Sequence, residues 1–382
     1  MELRSDFTLG LIGGGQLARM SAYQAFRFGI RLAIYAGDPD EPGNYTTPFT
    51  HQGQANDWES LLAFARSCDV ITLENEFIDA DLLLRLRNES KTPIYPTPES
   101  FAKIADKRIE KETFAKAGIP VARWMVPSSN DELPELGLDL GYPYVMKSSK
   151  GGYDGYGNST VHTLEEAHQA WEALGGSQGR AIIAEAFVPF RMELAVQVAR
   201  NHTGIVVYPC CESIQKGHIC STIIVPARID PDLQQQAQDM AVAACEAIDG
   251  IGLFAFEFFL TEQNELLLNE SAPRPHNSGH YTIEACVNSQ FENHIRAVLG
   301  LPLGSSLLRR PAAVMVNLLG KRNQPATAEH VDTLLETADA HLHLYGKLHS
   351  KIGRKMGHIT LLGDNVEELL TSATHLANSI EL

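Results

Sequence analysis

The chain has 382 residues, enough for two or three domains with sizeable cores. Its 44% hydrophobic and 20% charged composition is that of an ordinary globular protein, and a net charge of −16 argues against general nucleic-acid binding, which needs a basic footprint. The six cysteines form no Cys-x-x-Cys pair, Met1 to Phe7 carries no signal-peptide core, and no apolar run reaches the ~18 residues of a membrane span, so a reducing cytoplasm is the expected location.

The pattern at the N-terminus is strand, turn, helix, strand. Phe7 to Ile12 is apolar, Gly13-Gly14-Gly15 follows, Gln16 to Phe28 has helical spacing, and Arg31 to Tyr35 is a second strand. After a helix over Trp58 to Ser67, a third strand, Val70 to Leu73, ends at Glu74-Asn75-Glu76. This is a βαβ-type start with a parallel sheet. Gly13-x-Gly15-x-x-Ala18, with Asp38 after the next strand, fits a dinucleotide fingerprint and leaves a nicotinamide-dependent oxidoreductase open. The same glycines serve any ligand or backbone that approaches a helix N-terminus.

Pro93, Pro96 and Pro98 mark a linker, and a helix is expected from Ser100 to Ala117. The expected division is 1–104, 105–300 and 301–382. A strand over Tyr142 to Lys147 leads into Lys150-Gly151-Gly152-Tyr153-Asp154-Gly155-Tyr156-Gly157. Four glycines in its last seven positions give backbone amides able to wrap phosphate oxygens. No Gly-Lys-Ser/Thr opens a helix there, so it is not a Walker A motif. The bland reading is a flexible hairpin tip, which does not explain the flanking Lys147 and the embedded Asp154. Ala181 to Ala184 reads as a strand ending in Glu185-Ala186-Phe187-Val188, with Glu193 just beyond it, and residues 231–248 read as a helix.

Two strand-like runs then carry acids. Glu257 lies on Phe254 to Leu260, and Glu270 follows Glu265 to Leu268. Two carboxylates on neighbouring strands, with Asn269 beside one, suit Mg²⁺, which takes few protein oxygens and leaves the rest of its shell to water and phosphate. The continuation to His280, Ser-Ala-Pro-Arg-Pro-His-Asn-Ser-Gly-His, is dense in charged and rigid residues. Tyr281 to Leu299 is expected to be helical. The last eighty residues read as a small third unit. It has strands over Ala312 to Leu319, Ala340 to Tyr345 and Met356 to Leu362, and a final helix over Val366 to Ile380. Between them, Lys347, Lys351, Arg354 and Lys355 gather positive charge without an acid, pointing to a bound phosphate in an otherwise acidic chain. His341, His343 and His349 are not expected to form a metal cluster, because the two strand histidines, His341 and His343, fit a polar face and no carboxylate is expected to partner them.

Several of these strings occur together in one family. Gly13 to Met20, Gly151-Gly152-Tyr153-Asp154-Gly155, Asn269-Glu270, Pro273-Arg274-Pro275-His276-Asn277-Ser278-Gly279-His280, and Tyr345-Gly346-Lys347 with Gly353 to His358 span nearly the whole chain. On these residues it resembles the ATP-grasp ligases and, within them, the 5-(carboxyamino)imidazole ribonucleotide synthases. The resemblance implies an α/β ATP-grasp fold with an N-terminal Rossmann-like (pre-ATP-grasp) domain and a small C-terminal α/β domain. It implies that ATP phosphorylates bicarbonate to carboxyphosphate, which then carboxylates aminoimidazole ribonucleotide, and that the enzyme is a homodimer.

The resemblance also implies roles. Glu257 and Glu270, helped by Asn269, would hold Mg²⁺. Lys107 and Lys147 would contact ATP, Gly152 to Gly155 would close over its phosphates, Glu185, Ala186, Phe187 and Val188 would read adenine, and Glu193 and Gln215 would lie at the nucleoside. Arg274 and Ser278 would hold bicarbonate, and His276 would either hold it or move the amine proton, with Lys147, Arg274 and His276 catalytic. The ribonucleotide would meet Tyr153, Asp154, Glu74 and Glu76, and its phosphate Lys347, Arg354 and Lys355. The chain departs from the family pattern in having Tyr156 for an Arg, Ser148-Ser149 for Thr-Arg, Gln215 for a His, and no aromatic residue ahead of Glu74. Three other readings remain open at this level: a ligase using formate or an amino acid, the oxidoreductase, and a non-catalytic nucleotide binder.

Overall fold

In a computed structural model, residues 4–54, 56–151 and 157–382 are described. The strand Thr8–Ile12 is central to a five-stranded parallel sheet, in the order Phe49–Gln52, Arg31–Ala36, Thr8–Ile12, Val70–Leu73, Ile94–Tyr95. The order reverses direction between Thr8–Ile12 and Val70–Leu73. The turns leaving these two strands, Gly13 to Gly15 and Glu74 to Glu76, therefore share the crevice at the carboxyl ends where open α/β sheets take ligands.

The expected helix over 100–117 is two helices, Pro98–Ala102 and Lys107–Lys116. Asp106 explains the break. Its carboxylate accepts from the Arg108 N–H at 3.0 Å, capping a new helix where the old one would have run on. The restart puts Lys107 in the first turn. Glu110, Lys111 and Phe114 are buried on the same inward face. Phe114 meets Phe256 edge to face at 6.3 Å, docking the helix on the sheet that carries Glu257. The expected helix over 281–299 is likewise divided, into Thr282–Ala285 and Gln290–Val298, with Ser289 capping the second by accepting from the Glu292 N–H.

Beyond the linker lie a small sheet and a large one. The small sheet has the order Trp124–Met125, Ile182–Ala186, Tyr144–Ser148, Asn158–Val161 and is antiparallel throughout. The large sheet runs Leu266–Ala272, Gly252–Thr261, Phe190–Asn201, Cys211–Lys216, Ile219–Val225, Ala312–Leu319, Lys355–Gly363, Ala340–Leu344, with Gly204–Val207 on the side of Phe190–Asn201. The C-terminal strands thus extend the sheet that carries the acids. Ile224 packs in one core with Val314 and Leu361. The first sheet is joined to the rest by apolar contact too, since Leu9, Ala18 and Ile34 share a core with Ile295, Val298 and Leu299 of the Gln290–Val298 region. The packing leaves a cleft of about 1050 Å³ among all three parts.

Candidate active site

The acids predicted to hold a cation are direct cross-strand partners: Glu257 faces Glu270 in the antiparallel register. Opposed side chains on such a pair lie on one face of the sheet. The register shifts immediately afterwards, Phe258 pairing with Leu268, so Asn269 is an extra residue in its strand. Such a bulge re-aims side chains. Asn269 Oδ1 is buried without a hydrogen-bond partner among the described residues, an oxygen acceptor lacking a donor.

Lysines neutralise Glu270 and the neighbouring Glu185. Lys107 Nζ donates to Glu270 Oε2 at 3.0 Å, and this cation, more than any other neighbour, holds the Glu270 carboxyl well below the ordinary range. Lys147 Nζ donates to Glu185 Oε2 at 3.1 Å. Two residues that the sequence did not single out complete the network. Lys111, with 2% of its side chain exposed, reaches Glu185 Oε2 at 3.3 Å and the carbonyl oxygen of Asn269 at 3.0 Å. Glu110 accepts from both the N–H and the hydroxyl of Ser271, at 2.8 and 2.6 Å. The available signal was charge on the inward face of a helix: Lys107, Glu110, Lys111 and Phe114 are spaced i, i+3, i+4, i+7.

In the same cleft, Arg274 forks onto Glu76, with Nη2 2.7 Å from Oε1 and Nε bonded to Oε2. The two residues predicted for bicarbonate and ribonucleotide are therefore paired with each other in this state. Glu74 is buried, and burial pushes its carboxyl up to about 7 against the pull of Arg274. Its Oε1 accepts from the Leu17 N–H at 3.3 Å, while Gly14 N–H donates to Glu41 at 2.8 Å. A Cβ on Gly15 would lie 2.3 Å from Glu74 Oε1. The start of the Gln16–Arg27 helix is thus taken by the chain's own carboxylates, leaving a dinucleotide pyrophosphate no place there.

His276, Lys347, Arg354 and Lys355 line the same cleft as Glu74, Glu76, Lys107, Glu257, Glu270 and Arg274. Lys347 Nζ bonds the carbonyl oxygen of Lys355 at 2.6 Å, and Arg354 bonds that of His349 at 2.9 Å, which orders the basic segment. Burial, with Arg274 and Lys355 nearby, lowers His276 to about 4. Other predicted residues do not line the cleft wall. Ser278 is 1% exposed and lies behind His276, bonded to its Nδ1 at 2.8 Å. Gln215 donates to Ser213 at 3.0 Å and also bonds Glu193, whose carboxyl is raised by burial. Glu185 points into the lysine network, Ala186 and Val188 are half-buried, and Phe187 is exposed. Gly152, Tyr153, Asp154, Gly155 and Tyr156 lie outside the described residues. Contrary to expectation, His343 does have a carboxylate partner: its Nε2 donates to Glu284 at 2.7 Å and its ring stacks on His358 at 4.5 Å, whereas His349 belongs to a separate two-stranded pairing.

Three family descriptions match in succession. They are a ribonucleotide synthetase preATP-grasp domain over residues 7–105, an ATP-grasp domain over 112–291, and a phosphoribosylaminoimidazole carboxylase C-terminal domain over 313–372. The N5-carboxyaminoimidazole ribonucleotide synthase of Bacillus subtilis is 39% identical over 368 residues, covering 96% of this chain and 94% of that one.

The chain belongs to the N5-carboxyaminoimidazole ribonucleotide synthase family.

The phosphoribosylaminoimidazole carboxylase of Ogataea methanolica is 40% identical over 369 residues, and the chain spans 67% of its length. It spans about two thirds, or slightly less, of the other fungal carboxylases it matches. Among solved structures, an N5-carboxyaminoimidazole ribonucleotide synthetase in complex with ADP superposes with a TM-score of 0.88 at 36% identity, covering 98% of this chain and 97% of that one. The enzyme of Aspergillus clavatus, in complex with ADP and 5-aminoimidazole ribonucleotide, superposes at 0.87 and 34% identity, covering 98% of each chain. This family member is an ATP-grasp ligase, and its donor set suits Mg²⁺: two carboxylates in register and a buried amide oxygen lacking a donor.

Proposed function

We propose that the chain carboxylates 5-aminoimidazole ribonucleotide with bicarbonate, using ATP, in purine biosynthesis. A bicarbonate oxygen attacks the γ-phosphorus, the bond to ADP breaks, and carboxyphosphate forms. The exocyclic amine then attacks the carboxyl carbon, loses a proton, and expels inorganic phosphate. One observation carries this reading. A single cleft is lined by the acid pair Glu257 and Glu270 with Lys107, by Arg274 and His276, and by the basic segment of Lys347, Arg354 and Lys355. Donors for the nucleotide, the acceptor and the ribonucleotide phosphate in one cleft suit a two-step transfer without release of its labile intermediate.

Bound Mg²⁺, held by Glu257, Glu270 and Asn269, supplies charge neutralisation at the phosphates. Lys107 and Lys147 steady the phosphates from the nucleotide side, and Lys111 sets the carbonyl side of Asn269. Arg274, drawn from its fork on Glu76, binds the carboxylate oxygens of the acceptor. His276 stands beside it, 3.7 Å from Glu257. Glu74 and Glu76 face the ribonucleotide ring and ribose, and Lys347, Arg354 and Lys355 take its phosphate. Ser278 contributes from behind His276. The six cysteines are all free and buried, which supports a reducing, cytoplasmic setting.

The test is release of inorganic phosphate from Mg·ATP with bicarbonate and aminoimidazole ribonucleotide. Omission of any one component should abolish it. Release indifferent to the ribonucleotide, or restored by formate or an amino acid in place of bicarbonate, would overturn the assignment.

A further inference from the structure

Behind His276 stand two buried glutamines with no part in the roles above. Gln197, on the strand Phe190–Asn201, has no exposed surface, and its Nε2 donates to Ser278 Oγ at 2.8 Å. Ser278 Oγ lies 2.8 Å from His276 Nδ1, and the Ser278 backbone N–H also points at Nδ1, at 3.4 Å. A backbone N–H is only a donor, so Nδ1 is the acceptor. The hydroxyl must then give its own proton to Nδ1, and its lone pair receives the Gln197 amide. Gln290, the first residue of Gln290–Val298, holds the main chain of the same residue. Its Oε1 accepts from the His276 N–H at 3.0 Å and its Nε2 donates to the His276 carbonyl at 2.8 Å.

We propose that Gln197 is a positioning residue which, through the Ser278 hydroxyl, holds His276 in the tautomer with its proton on Nε2. Rested on the carboxylation reading, this makes His276 a fixed hydrogen-bond donor to an anionic oxygen of bicarbonate or carboxyphosphate. Nδ1 is occupied from behind, so Nε2 is the nitrogen left for the cleft that His276 lines. The competing arrangement, a proton on Nδ1 shared with Glu257 Oε1, has only a 3.7 Å approach against 2.8 Å to Ser278. Nor is Gln197 explained by packing. Its Oε1 has no hydrogen-bond partner among the described residues, and an apolar side chain of similar size would fill the space without burying such an oxygen.

The experiment is two-bond ¹⁵N–¹H correlation NMR on protein labelled with ¹⁵N-histidine, with His276 identified by comparison with His276→Asn, alongside steady-state kinetics. Wild-type protein should show His276 protonated at Nε2. Gln197→Met and Ser278→Ala should shift the signal toward a mixture of tautomers and lower kcat roughly tenfold, leaving the KM for ATP unchanged. Ser278→Thr, which keeps the hydroxyl, should keep the wild-type signal. A proton on Nδ1 in the wild type, or an unchanged signal in Gln197→Met, overturns the proposal. Should Gln197→Met not fold, Ser278→Ala decides by the same two measurements. Failure of the carboxylation reading would show as phosphate release that ignores the ribonucleotide, with the NMR result still readable.

Discussion

At the residue scale, Glu270 has the clearest role: it faces Glu257 in register and receives Lys107. Glu270→Ala removes a proposed metal ligand and leaves Lys107 without that acceptor. Turnover is expected to fall at least about 100-fold in phosphate-release assays, and wild-type rates at saturating Mg²⁺ would count against the metal role. Glu74 makes a different prediction, about pH. Burial raises its carboxyl from 4.5 to about 7, so the folded protein holds this proton more tightly than the unfolded chain. The resulting stabilisation is complete below about pH 4.5 and is lost as pH rises to about 7, a swing on the order of 3 kcal/mol. Glu74→Gln cannot ionise and should flatten the pH dependence of unfolding free energy across that window. Identical slopes in variant and wild type would show that Glu74 is not its source. Both residues were legible as candidates because acids directly after apolar strands stand out. That Glu74 sits on the start of the Gln16–Arg27 helix was not, because the contact joins residues 57 apart in sequence.

At the element scale, the helix Lys107–Lys116 organises the nucleotide half of the cleft. A charged inward face is costly to bury, and it is retained here by full pairing. Lys111 ties the helix to Glu185 on one sheet and to the Asn269 carbonyl on another. Lys111→Met should therefore lower stability by roughly 3–5 kcal/mol, measured by urea unfolding, because part of a buried charge network is left uncompensated. A loss below about 1 kcal/mol would show that Lys147 alone satisfies Glu185. The sequence pattern ran one helix through residues 100–117, since its periodicity continues across the break. The Asp106 cap that divides it is a local competition visible in hindsight, whereas the inward pull of Glu185 and Glu270 on the lysines belongs to tertiary contact.

At the scale of the whole molecule, the cleft exists because three segments of the chain close on it. The basic segment stands on strands that continue the sheet of Glu257 and Glu270, so its charges are held in the same cleft as the acids. Lys355→Ala should raise the KM for the ribonucleotide roughly 10- to 100-fold, the loss expected of one charge-assisted phosphate contact, while the KM for ATP stays put. A rise confined to ATP would place the basic segment on the wrong substrate. By itself the sequence determined the parallel N-terminal sheet, the acid-bearing strands, the basic C-terminal run and the family, because alternation, glycine turns and unusual strings of charge are local properties. Only the tertiary structure decided that Glu257 and Glu270 are register partners, that the N-terminal glycine turn is filled by Glu41 and Glu74, that Arg274 rests on Glu76, and that Gln197 and Gln290 stand behind His276. These are contacts between distant segments, fixed by strand pairing and by burial that leaves each polar group to find a partner, and no local pattern in the chain encodes them.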